Sequence, residues 1–423
     1  MMFFVVAFLA FLFMVFIGTP VVVALGCIAI AVLTNTDGLS IHVLTQVMYI
    51  GLDRFILLAV PLFLFAGMLM EAAGMTTSLS RLSKAIFGKT PGGCSCSCVL
   101  STMLFAASSG SSTATTLAIG RFTIPEMVRD GMTRDKSAAL QVISAELGVI
   151  IPPSIPMVVY GTVTETPIDL LFVAGIIPGL LLAAVLMVYA VFTAKKGPAG
   201  RPSAEKILLG PALLSAIPAI LMPLIIVGSI LSGIATTTEA AITAVLYGLV
   251  VLAVKRKFRI AVLRDIVQRT ALQTAQILII FSVANVVSYI ITWSGTGIML
   301  METLRPLTQN STWFFLVVNA ILFVLGMFIE PTAIILMLAP LLVPLATSAG
   351  IDPVHFGIVV IMNMALAMAT PPFGINLFAV STITNIRQKD LYLAIAPLVL
   401  VVASVIVLII FVPEIIFIKK LSY

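Results

Sequence analysis

The chain has few charged residues: they make up 9% of its 423 positions, against about 25% in soluble domains. Hydrophobic residues make up 61%, and long apolar stretches recur from end to end, at 3–33, 172–192, 207–231 and 391–411. Each stretch is long enough to cross a hydrocarbon core of about 30 Å as a helix. Composition therefore excludes a soluble domain with a single anchor. It also excludes a β-barrel, whose strands alternate apolar and polar residues, so we expect an all-α polytopic membrane protein.

Cysteine and histidine are scarce, with four and two copies, which argues against several classes of site. The C-x-C-x-C run at 94–98 lacks the spacing of a zinc site, and small residues that ease close helix packing explain it better. His42 and His355 are expected in loops, so a hydrolase with Ser111 or Ser112 as nucleophile would have no base beside it. No G-x-S-x-G or H-E-x-x-H motif is present. We therefore do not expect an enzyme, and an intramembrane serine hydrolase is the least favoured alternative.

The net charge of +6 is carried by Lys and Arg in short loops, which favours anchoring at the cytoplasmic face over nucleic-acid binding. Both ends of the segment 94–125 are basic. A segment whose two ends lie on one side of the membrane has entered it and turned back. Residues 94–125 are therefore predicted to form a re-entrant helical hairpin, with SSGSST, residues 108–113, at its tip. The flanking basic residues are Arg81, Lys84, Lys89, Arg121, Arg129, Arg134 and Lys136.

The second half of the chain repeats the first at an offset of 219 positions, the separation of Pro125 and Pro344. The same offset pairs the prolines at 152–153 with those at 371–372. The second hairpin, predicted at 313–345, has few basic residues near its ends, which are therefore expected to be periplasmic. Two copies in opposite orientation form an inverted repeat, a plan typical of secondary transporters.

The remaining spans complete the two repeats, which are predicted to cover 1–194 and 238–423 with a connecting segment at 195–237. The N-terminus is expected in the cytoplasm and the C-terminus in the periplasm. Spans 137–165 and 356–384 contain the proline pairs and are predicted to be discontinuous. The other predicted spans lie at 3–33, 56–74, 170–194, 207–232, 238–254, 271–293 and 391–417.

Each proline pair interrupts a span and withdraws amide hydrogens from the helix before it. The first pair should free the carbonyls of Gly148 and Val149, and the second those of Ala367 and Met368. Free carbonyls at the end of a half-helix carry partial negative charge, and a hairpin tip is expected opposite each of them. We therefore expect two all-oxygen pockets near the bilayer midplane, which would suit Na⁺.

Two acidic residues lie inside the predicted membrane segments, where an ionisable side chain is costly and usually functional. Glu330 lies in the second tip and is expected to contact the ion or the substrate. Glu146 lies two residues before Gly148 and is expected to hydrogen-bond neighbouring helices or, with Glu330, to relay protons. The residues thus leave a proton-coupled carrier and a passive channel open beside a Na⁺-coupled symporter.

Three segments carry a resemblance to a known family. GIDPVHFGIVVIMNMALAMATPPFGINLF at 350–378, GLDRFILLAVPLFLFAGMLM at 51–70 and SSGSSTATTLAIG at 108–120 resemble the large membrane subunit of TRAP transporters, the tripartite ATP-independent periplasmic family. The resemblance implies an elevator-type member of the ion-transporter superfamily in the bacterial inner membrane, driven by a Na⁺ gradient. It also implies two partner chains: a small four-span membrane subunit, and a periplasmic binding protein that delivers an organic anion.

The resemblance also implies the ligands of two Na⁺ sites. In the first tip this sequence departs from the family, which often continues with Pro-Ala or Ala-Asp, whereas Thr113 and Ala114 stand here. That departure concerns substrate contacts at this tip. The first Na⁺ site would use Ser108, Ser111, Gly148, Ile151 and Pro153. The second would use Gly326, Glu330, Ala367, Thr370 and Pro372.

A Na⁺-coupled symporter is the leading hypothesis, with the substrate between the two tips. Its carboxylate would be held by hydroxyls and by amides at half-helix N-termini. Arg54 is a weaker candidate because it equally suits an interfacial anchor. C4-dicarboxylates, sialic acid and other sugar or keto acids all fit such a cavity. The candidate substrate contacts are Ser112, Thr113, Thr332, Asn363, Asn376 and Arg54.

Overall fold

The computed structural model describes residues 2–34, 41–88, 90, 92–193, 207–295, 302, 306 and 308–416. Within these ranges every regular element is a helix. Seven helices there are long and apolar enough to cross a bilayer, and a bent pair, Arg134–Ile150 with Ile155–Thr164, brings the number to as many as eight. The prediction of an all-α polytopic membrane protein is confirmed.

The described residues of the first half form eleven α-helices, and a 3₁₀ turn at Phe55–Leu58 leads into the fourth. They are α1 Met2–Phe16, α2 Val21–Thr34, α3 Ile41–Leu52, α4 Ala59–Ala72, α5 Met75–Phe87, α6 Gly93–Ser109, α7 Ser112–Arg129, α8 Arg134–Ala145, α9 Leu147–Ile150, α10 Ile155–Thr164 and α11 Ile168–Thr193.

In the second half the described residues form longer helices, followed by a 3₁₀ turn at Pro413–Ile416. They are α12 Leu209–Leu231, α13 Thr237–Val254, α14 Ile260–Trp293, α15 Ser311–Gly326, α16 Pro331–Ser348, α17 Pro353–Met368, α18 Ile375–Thr384 and α19 Gln388–Phe411. By length and apolarity, α16 is itself one of the seven possible spans.

The offset of 219 positions recurs in the helix boundaries. Helices α7 and α16 begin at Ser112 and Pro331 and end at Arg129 and Ser348, so both ends differ by this offset. Helices α8 and α17 begin at Arg134 and 353, again 219 apart. Each second hairpin helix is followed by a glycine with positive φ, Gly131 at 98° and Gly350 at 76°. A glycine tolerates this conformation without steric cost, so it ends the helix at the same place in both repeats.

Contacts between the halves are reciprocal. Helix α10, after the first break, packs on α16 of the second hairpin, and α18, after the second break, packs on α7 of the first hairpin. Likewise α4 packs on α13, and α2 packs on α14. When one copy's surface contacts the other copy's equivalent surface in both directions, the two copies are related by an approximate two-fold axis.

Several predictions of local structure were wrong. The span expected at 3–33 is two helices, because Gly18, with φ of 89°, and Pro20 interrupt it. The span expected at 271–293 is the second part of α14, which is 34 residues long. His355, expected in a loop, is buried in α17 beside the Ile409 carbonyl oxygen, at 3.0 Å.

Helix α14 also marks a difference between the repeats. At the offset of 219 it corresponds to α3 and α4 together. In the first repeat these are separated by Asp53 and Arg54, whereas in the second repeat the helix continues through the equivalent positions. Hydropathy could not reveal this, because a continuous helix and a kinked one bury similar apolar faces.

Candidate functional site

The first hairpin turns within two residues. Helix α6 ends at Ser109, and Gly110 follows with φ of 63°, a left-handed conformation that suits glycine. Ser111 is the N-cap of α7, and its hydroxyl oxygen accepts a hydrogen bond from the amide of Ala114 at 3.4 Å. The Thr115 hydroxyl donates to the carbonyl oxygen of Ser111 at 2.7 Å. The tip is thus a fixed turn that presents main-chain groups.

The first broken helix loses its regular hydrogen bonding after Ile150 and regains it at Ile155. Ser154 caps α10 by accepting from the amide of Met157. Its hydroxyl also donates to the carbonyl oxygen of Val149 at 2.6 Å. The prediction that the Val149 carbonyl is free was therefore wrong. Position 152 is proline and offers no amide hydrogen to Gly148.

The first tip lies directly against the first break. A Cβ atom added to Gly148 would lie 3.0 Å from the carbonyl oxygen of Ser111, and one added to Gly110 would lie 2.9 Å from that of Pro153. Three of the predicted ligands, Ser111, Gly148 and Pro153, are therefore neighbours. Only glycine permits this approach, since any larger residue would push the two backbones apart.

The other two predicted ligands of the first site are placed differently. The Ser108 hydroxyl donates to the Phe105 carbonyl within α6, at 2.8 Å. The carbonyl of Ser108 faces α4, 3.2 Å from a Cβ added to Gly67. The side chain of Ile151 packs against Gly179, so only its main-chain groups remain available to a cation.

The second tip follows the same plan with a carboxylate in place of a hydroxyl. Glu330 is the N-cap of α16, and its side chain accepts from the amide of Ala333 at 3.2 Å. The Thr332 hydroxyl donates to the other carboxylate oxygen of Glu330 at 2.6 Å. Glu330 and Ser111 thus cap equivalent helices at positions 219 apart. A negative charge at a helix N-terminus is stabilised by the helix dipole.

The second tip also approaches its own break. A Cβ atom added to Gly326 would lie 2.6 Å from the Cβ of Ala367. The Ala367 carbonyl accepts from the amide of Thr370 at 3.0 Å, so the prediction that this carbonyl is free was wrong. The Thr370 hydroxyl donates back to Leu366 at 2.6 Å. The Met368 and Thr370 carbonyl oxygens converge, since a Cβ added to Gly374 would lie 2.6 and 2.8 Å from them.

The two breaks differ in exposure. All residues of the first, 151–154, are buried, whereas Pro372 and Phe373 in the second are exposed, Phe373 by 43%. The Pro372 carbonyl accepts from the Tyr392 hydroxyl at 2.7 Å. The Phe373 ring lies 5.4 Å from that of Phe328 in the second tip, measured between centroids. Both breaks contain a cis Pro-Pro peptide bond.

A hydrogen-bond network joins the first tip to the second broken helix. Asn376, which is 0% exposed, donates through Nδ2 to the Ser112 hydroxyl at 2.9 Å and to Glu146 Oε1 at 2.6 Å. The Thr113 hydroxyl donates to Asn376 Oδ1 at 2.8 Å. The other oxygen of Glu146, Oε2, is buried and has no hydrogen-bond partner among the described residues. Three of the candidate substrate contacts, Ser112, Thr113 and Asn376, are thus hydrogen-bonded to one another.

The remaining substrate candidates are not brought together. Asn363 donates to the carbonyl oxygen of Asn319 at 2.7 Å, between α17 and α15. Arg54 donates to the Thr162 carbonyl at 2.6 Å, near the end of α10 that lies away from the first break. Thr332 is bonded to Glu330 within the second tip.

Sequence reasoning missed the roles of Ser154 and Tyr392. Ser154 could have been found, because a serine two residues before a proline is a common helix start. Tyr392 gave no signal, since its partner Pro372 lies 20 residues away. The described residues contain no group of three or more His, Cys, Asp or Glu side chains placed to hold a metal.

Comparison with protein families gives one match across nearly the whole chain. The model of the family described as "Tripartite ATP-independent periplasmic transporter, DctM component" matches residues 8–415. Among solved structures, the chain resembles the Alcanivorax borkumensis YdaH transporter, whose crystal structure has an unusual topology, with a TM-score of 0.62 over 88% of this chain and 87% of that one. The two sequences are 13% identical, so this likeness concerns the fold alone.

Three curated bacterial proteins illustrate the sequence similarity, and all three are named as transporter permeases, not enzymes. The C4-dicarboxylate TRAP transporter large permease protein DctM of Pseudomonas aeruginosa is 37% identical over 369 residues, 86% of each chain. The sialic acid TRAP transporter large permease protein SiaM of Vibrio cholerae is 35% identical over 95% of this chain and 94% of its own. The isethionate TRAP transporter permease protein DctMQ of Oleidesulfovibrio alaskensis is 35% identical over 94% of this chain, which spans 63% of that protein.

Proposed function

Since the chain belongs to the DctM-component family of tripartite ATP-independent periplasmic transporters, we propose that it carries an organic acid anion across the bacterial inner membrane with Na⁺. The observation that carries the proposal is the pair of close approaches between tip and break, Gly148 against Ser111 and Gly326 against Ala367. The first approach puts the main-chain oxygen of Ser111 beside a helix that a proline pair interrupts, and the second brings the other tip against the equivalent helix through the Ala367 side chain.

The first cation site would be formed by a hydroxyl of the tip and main-chain oxygens of the break. The candidate residues are Ser111, Gly148, Ile151 and Pro153, with Ser108 behind them in α6. The carbonyls of Gly148, Ile151 and Pro153 would replace the water around a monovalent ion without rearranging. Ser111 would contribute its hydroxyl, because its carbonyl oxygen already accepts from the amide and the hydroxyl of Thr115. The Ser111 hydroxyl serves as a helix cap and keeps its lone-pair capacity beyond that one bond.

The second site would use the equivalent groups of the second repeat, with one full charge added. The Met368 and Thr370 carbonyls converge beside Gly374, and the other predicted ligands, Gly326, Ala367 and Pro372, belong to the same tip and break. Glu330 at the tip would contribute a carboxylate. The Ala367 and Pro372 carbonyls each accept one hydrogen bond, and a carbonyl oxygen has a second lone pair.

The substrate is proposed to lie between the tips, where α7 and α16 begin. Main-chain amides at these N-termini attract anions, and Ser112, Thr113 and Thr332 stand there. Asn363 and Arg54 are tied to other elements, and the side-chain amide of Asn376 is already paired with Ser112, Thr113 and Glu146, so the main-chain amides are the better-placed groups. C4-dicarboxylates, sialic acid and isethionate, named for the relatives, are the substrate classes we propose.

Transport would follow an elevator mechanism, with the hairpins and broken helices moving as one block against a scaffold. Helix α12 suits the scaffold, because only 28% of the residues in its 18-residue apolar window are buried, the lowest share among the seven possible spans. One face of the block would be cytoplasmic: Arg134 and Arg387 line a single cavity of about 500 Å³, which supports placing the starts of α8 and α19 on the same side. A small membrane subunit and a periplasmic binding protein are the proposed partners.

Uptake into proteoliposomes tests this function. The chain is reconstituted with its two proposed partner chains, and uptake of radiolabelled succinate, sialic acid and isethionate is measured under an inward Na⁺ gradient, a K⁺ gradient and a pH gradient. We expect accumulation of one anion with Na⁺ alone, and strong loss of it in Ser111→Ala, which removes a proposed ligand hydroxyl. Accumulation driven by the pH gradient would instead identify a proton-coupled carrier, and equilibration without accumulation a passive channel.

A further inference from the structure

Asn376 uses its whole side-chain amide to link parts of the molecule that are far apart in sequence. Both amide hydrogens are engaged, one by Ser112 and one by Glu146, which is 230 residues away. The amide oxygen accepts from Thr113, 263 residues away. Buried polar groups that are fully paired in this way fix the relative position of the elements that carry them.

The partners of Asn376 surround the first break. Ser112 and Thr113 directly follow Ser111, whose carbonyl oxygen faces Gly148. Glu146 precedes the short helix that contains Gly148. Asn376 therefore holds both walls of the first proposed cation site, the hairpin tip and the broken helix.

Asn376 itself belongs to the second break. It lies two residues after Gly374, which contacts the Met368 and Thr370 carbonyls, and it is the second residue of α18. A shift of the second break would move Asn376 and so pull on the first tip. Because packed interiors respond in discrete steps rather than by continuous deformation, such a shift is transmitted.

The link has no counterpart in the other direction. The residue equivalent to Asn376 in the first repeat is Met157, a buried methionine that packs against Gly175. The position equivalent to Glu146 is Ala365. The repeats are alike in backbone, but this polar connection exists once, between the second break and the first tip.

From these contacts we propose that Asn376 is a positioning residue that couples the two cation sites, so that Na⁺ at one break raises the affinity of the other. The inference rests on the proposed function and adds a mechanism of cooperativity to it. Coupling of this kind is reciprocal and typically corresponds to a factor of about 5–150 in affinity. It makes binding of two ions steeper than binding at independent sites.

Equilibrium binding of ²²Na⁺ to the purified full-length chain tests the coupling without transport. For the wild type we expect two ions per chain and a Hill coefficient clearly above 1. Asn376→Leu, similar in size but unable to hydrogen-bond, should still bind two ions with a Hill coefficient near 1. Thr113→Val, which removes one bond of the network, should fall between them. Glu146→Gln keeps an oxygen acceptor for Asn376 and should retain cooperativity.

Tyr160→Phe is the matched control. It removes another hydrogen bond between the repeats, the partly buried one from the Tyr160 hydroxyl to the Pro353 carbonyl at 2.7 Å. We expect it to lower the melting temperature and leave the Hill coefficient at the wild-type value.

Each remaining result has a definite meaning. A wild-type Hill coefficient of 1, or unchanged cooperativity in both Asn376→Leu and Thr113→Val, would overturn the coupling while two bound ions upheld the sites. Loss of cooperativity in Tyr160→Phe as well would overturn it as a general effect of destabilisation. Absence of any Na⁺ binding by the wild type would overturn the proposed function itself.

Discussion

The two breaks share one backbone plan and differ in what surrounds it. The first is wholly buried; Ser154 hydrogen-bonds the Val149 carbonyl within it, and Asn376 of the other repeat hydrogen-bonds Glu146 beside it. The second is exposed at Pro372 and Phe373 and is held by an aromatic contact and by Tyr392. The two repeats thus share the positions at which the backbone turns, whereas the side chains around the two breaks give them different burial and different contacts. We expect the first to depend on buried hydrogen bonds and the second on close packing.

Closing the gap at the second tip should have the largest effect. In Gly326→Ala the new Cβ would lie 2.6 Å from the Cβ of Ala367, an overlap that neither backbone can relieve by rotating a side chain. Such overpacking costs about 1–3 kcal/mol or more. We expect Na⁺-driven uptake to be lost and thermal unfolding in detergent to occur at a clearly lower temperature.

The control is Gly228→Ala in α12, where an added Cβ has no atom within 4 Å. It should transport normally and unfold no earlier, because alanine favours a helix by about 1 kcal/mol over glycine. Equal damage from both substitutions would contradict the close approach at the second site.

The same change at the first break should have a somewhat smaller effect. In Gly148→Ala the new Cβ would lie 3.0 Å from the Ser111 carbonyl oxygen, so the tip must retreat by a few tenths of an ångström. We expect Na⁺ affinity to fall by about tenfold, which corresponds to about 1.4 kcal/mol, with the fold retained. A greater loss than in Gly326→Ala would reverse the ranking of the two sites.

Removing the serine cap probes the buried character of the first break. Ser154→Ala loses the bond to the Met157 amide and leaves the Val149 carbonyl unpaired, at a cost of about 1–3 kcal/mol. Thermal unfolding should show this loss. Ser215→Ala in α12, which removes one bond to the Ala212 carbonyl within the helix, should cause little change.

The smallest effect is expected from Tyr392→Phe at the second break. The bond to Pro372 is exposed and the second bond of the hydroxyl, to Gln388, is partly buried, so water can replace the hydroxyl and the cost should stay within about 1 kcal/mol. Unfolding measured beside Ser154→Ala makes the comparison direct. Equal shifts in melting temperature would mean that the two breaks are equally buried in solution.

Prediction from sequence succeeded where proline and glycine dictate the backbone. The proline pairs at 152–153 and 371–372 lie where helices are interrupted, as expected of residues without an amide hydrogen, and Gly131 and Gly350 each follow a helix end with positive φ. These residues act through their own geometry and need no partner, which is why one sequence sufficed.

Prediction failed where the outcome depends on packing. Hydropathy could not recognise that α14 continues where α3 and α4 divide. The break between α1 and α2 is a different failure, because Gly18 and Pro20 signal it in the sequence and hydropathy alone overlooks them. Nor could it pair Asn376 with Glu146, since both merely appeared as polar residues in apolar segments. The prediction that the Val149 and Ala367 carbonyls are free was wrong for a similar reason. A nearby hydroxyl or amide donates the hydrogen bond that the missing proline amide hydrogen cannot.

The stoichiometry of ²²Na⁺ binding tests the central claim most directly, namely that each tip and its break together form a cation site. At a Na⁺ concentration that saturates the wild type, we predict two ions per chain for it and for Gly228→Ala. Gly148→Ala, which pushes one tip away from its break, should bind its second ion only at about tenfold higher Na⁺. No bound Na⁺ in the wild type, or two ions bound by Gly148→Ala with unchanged affinity, would contradict the account.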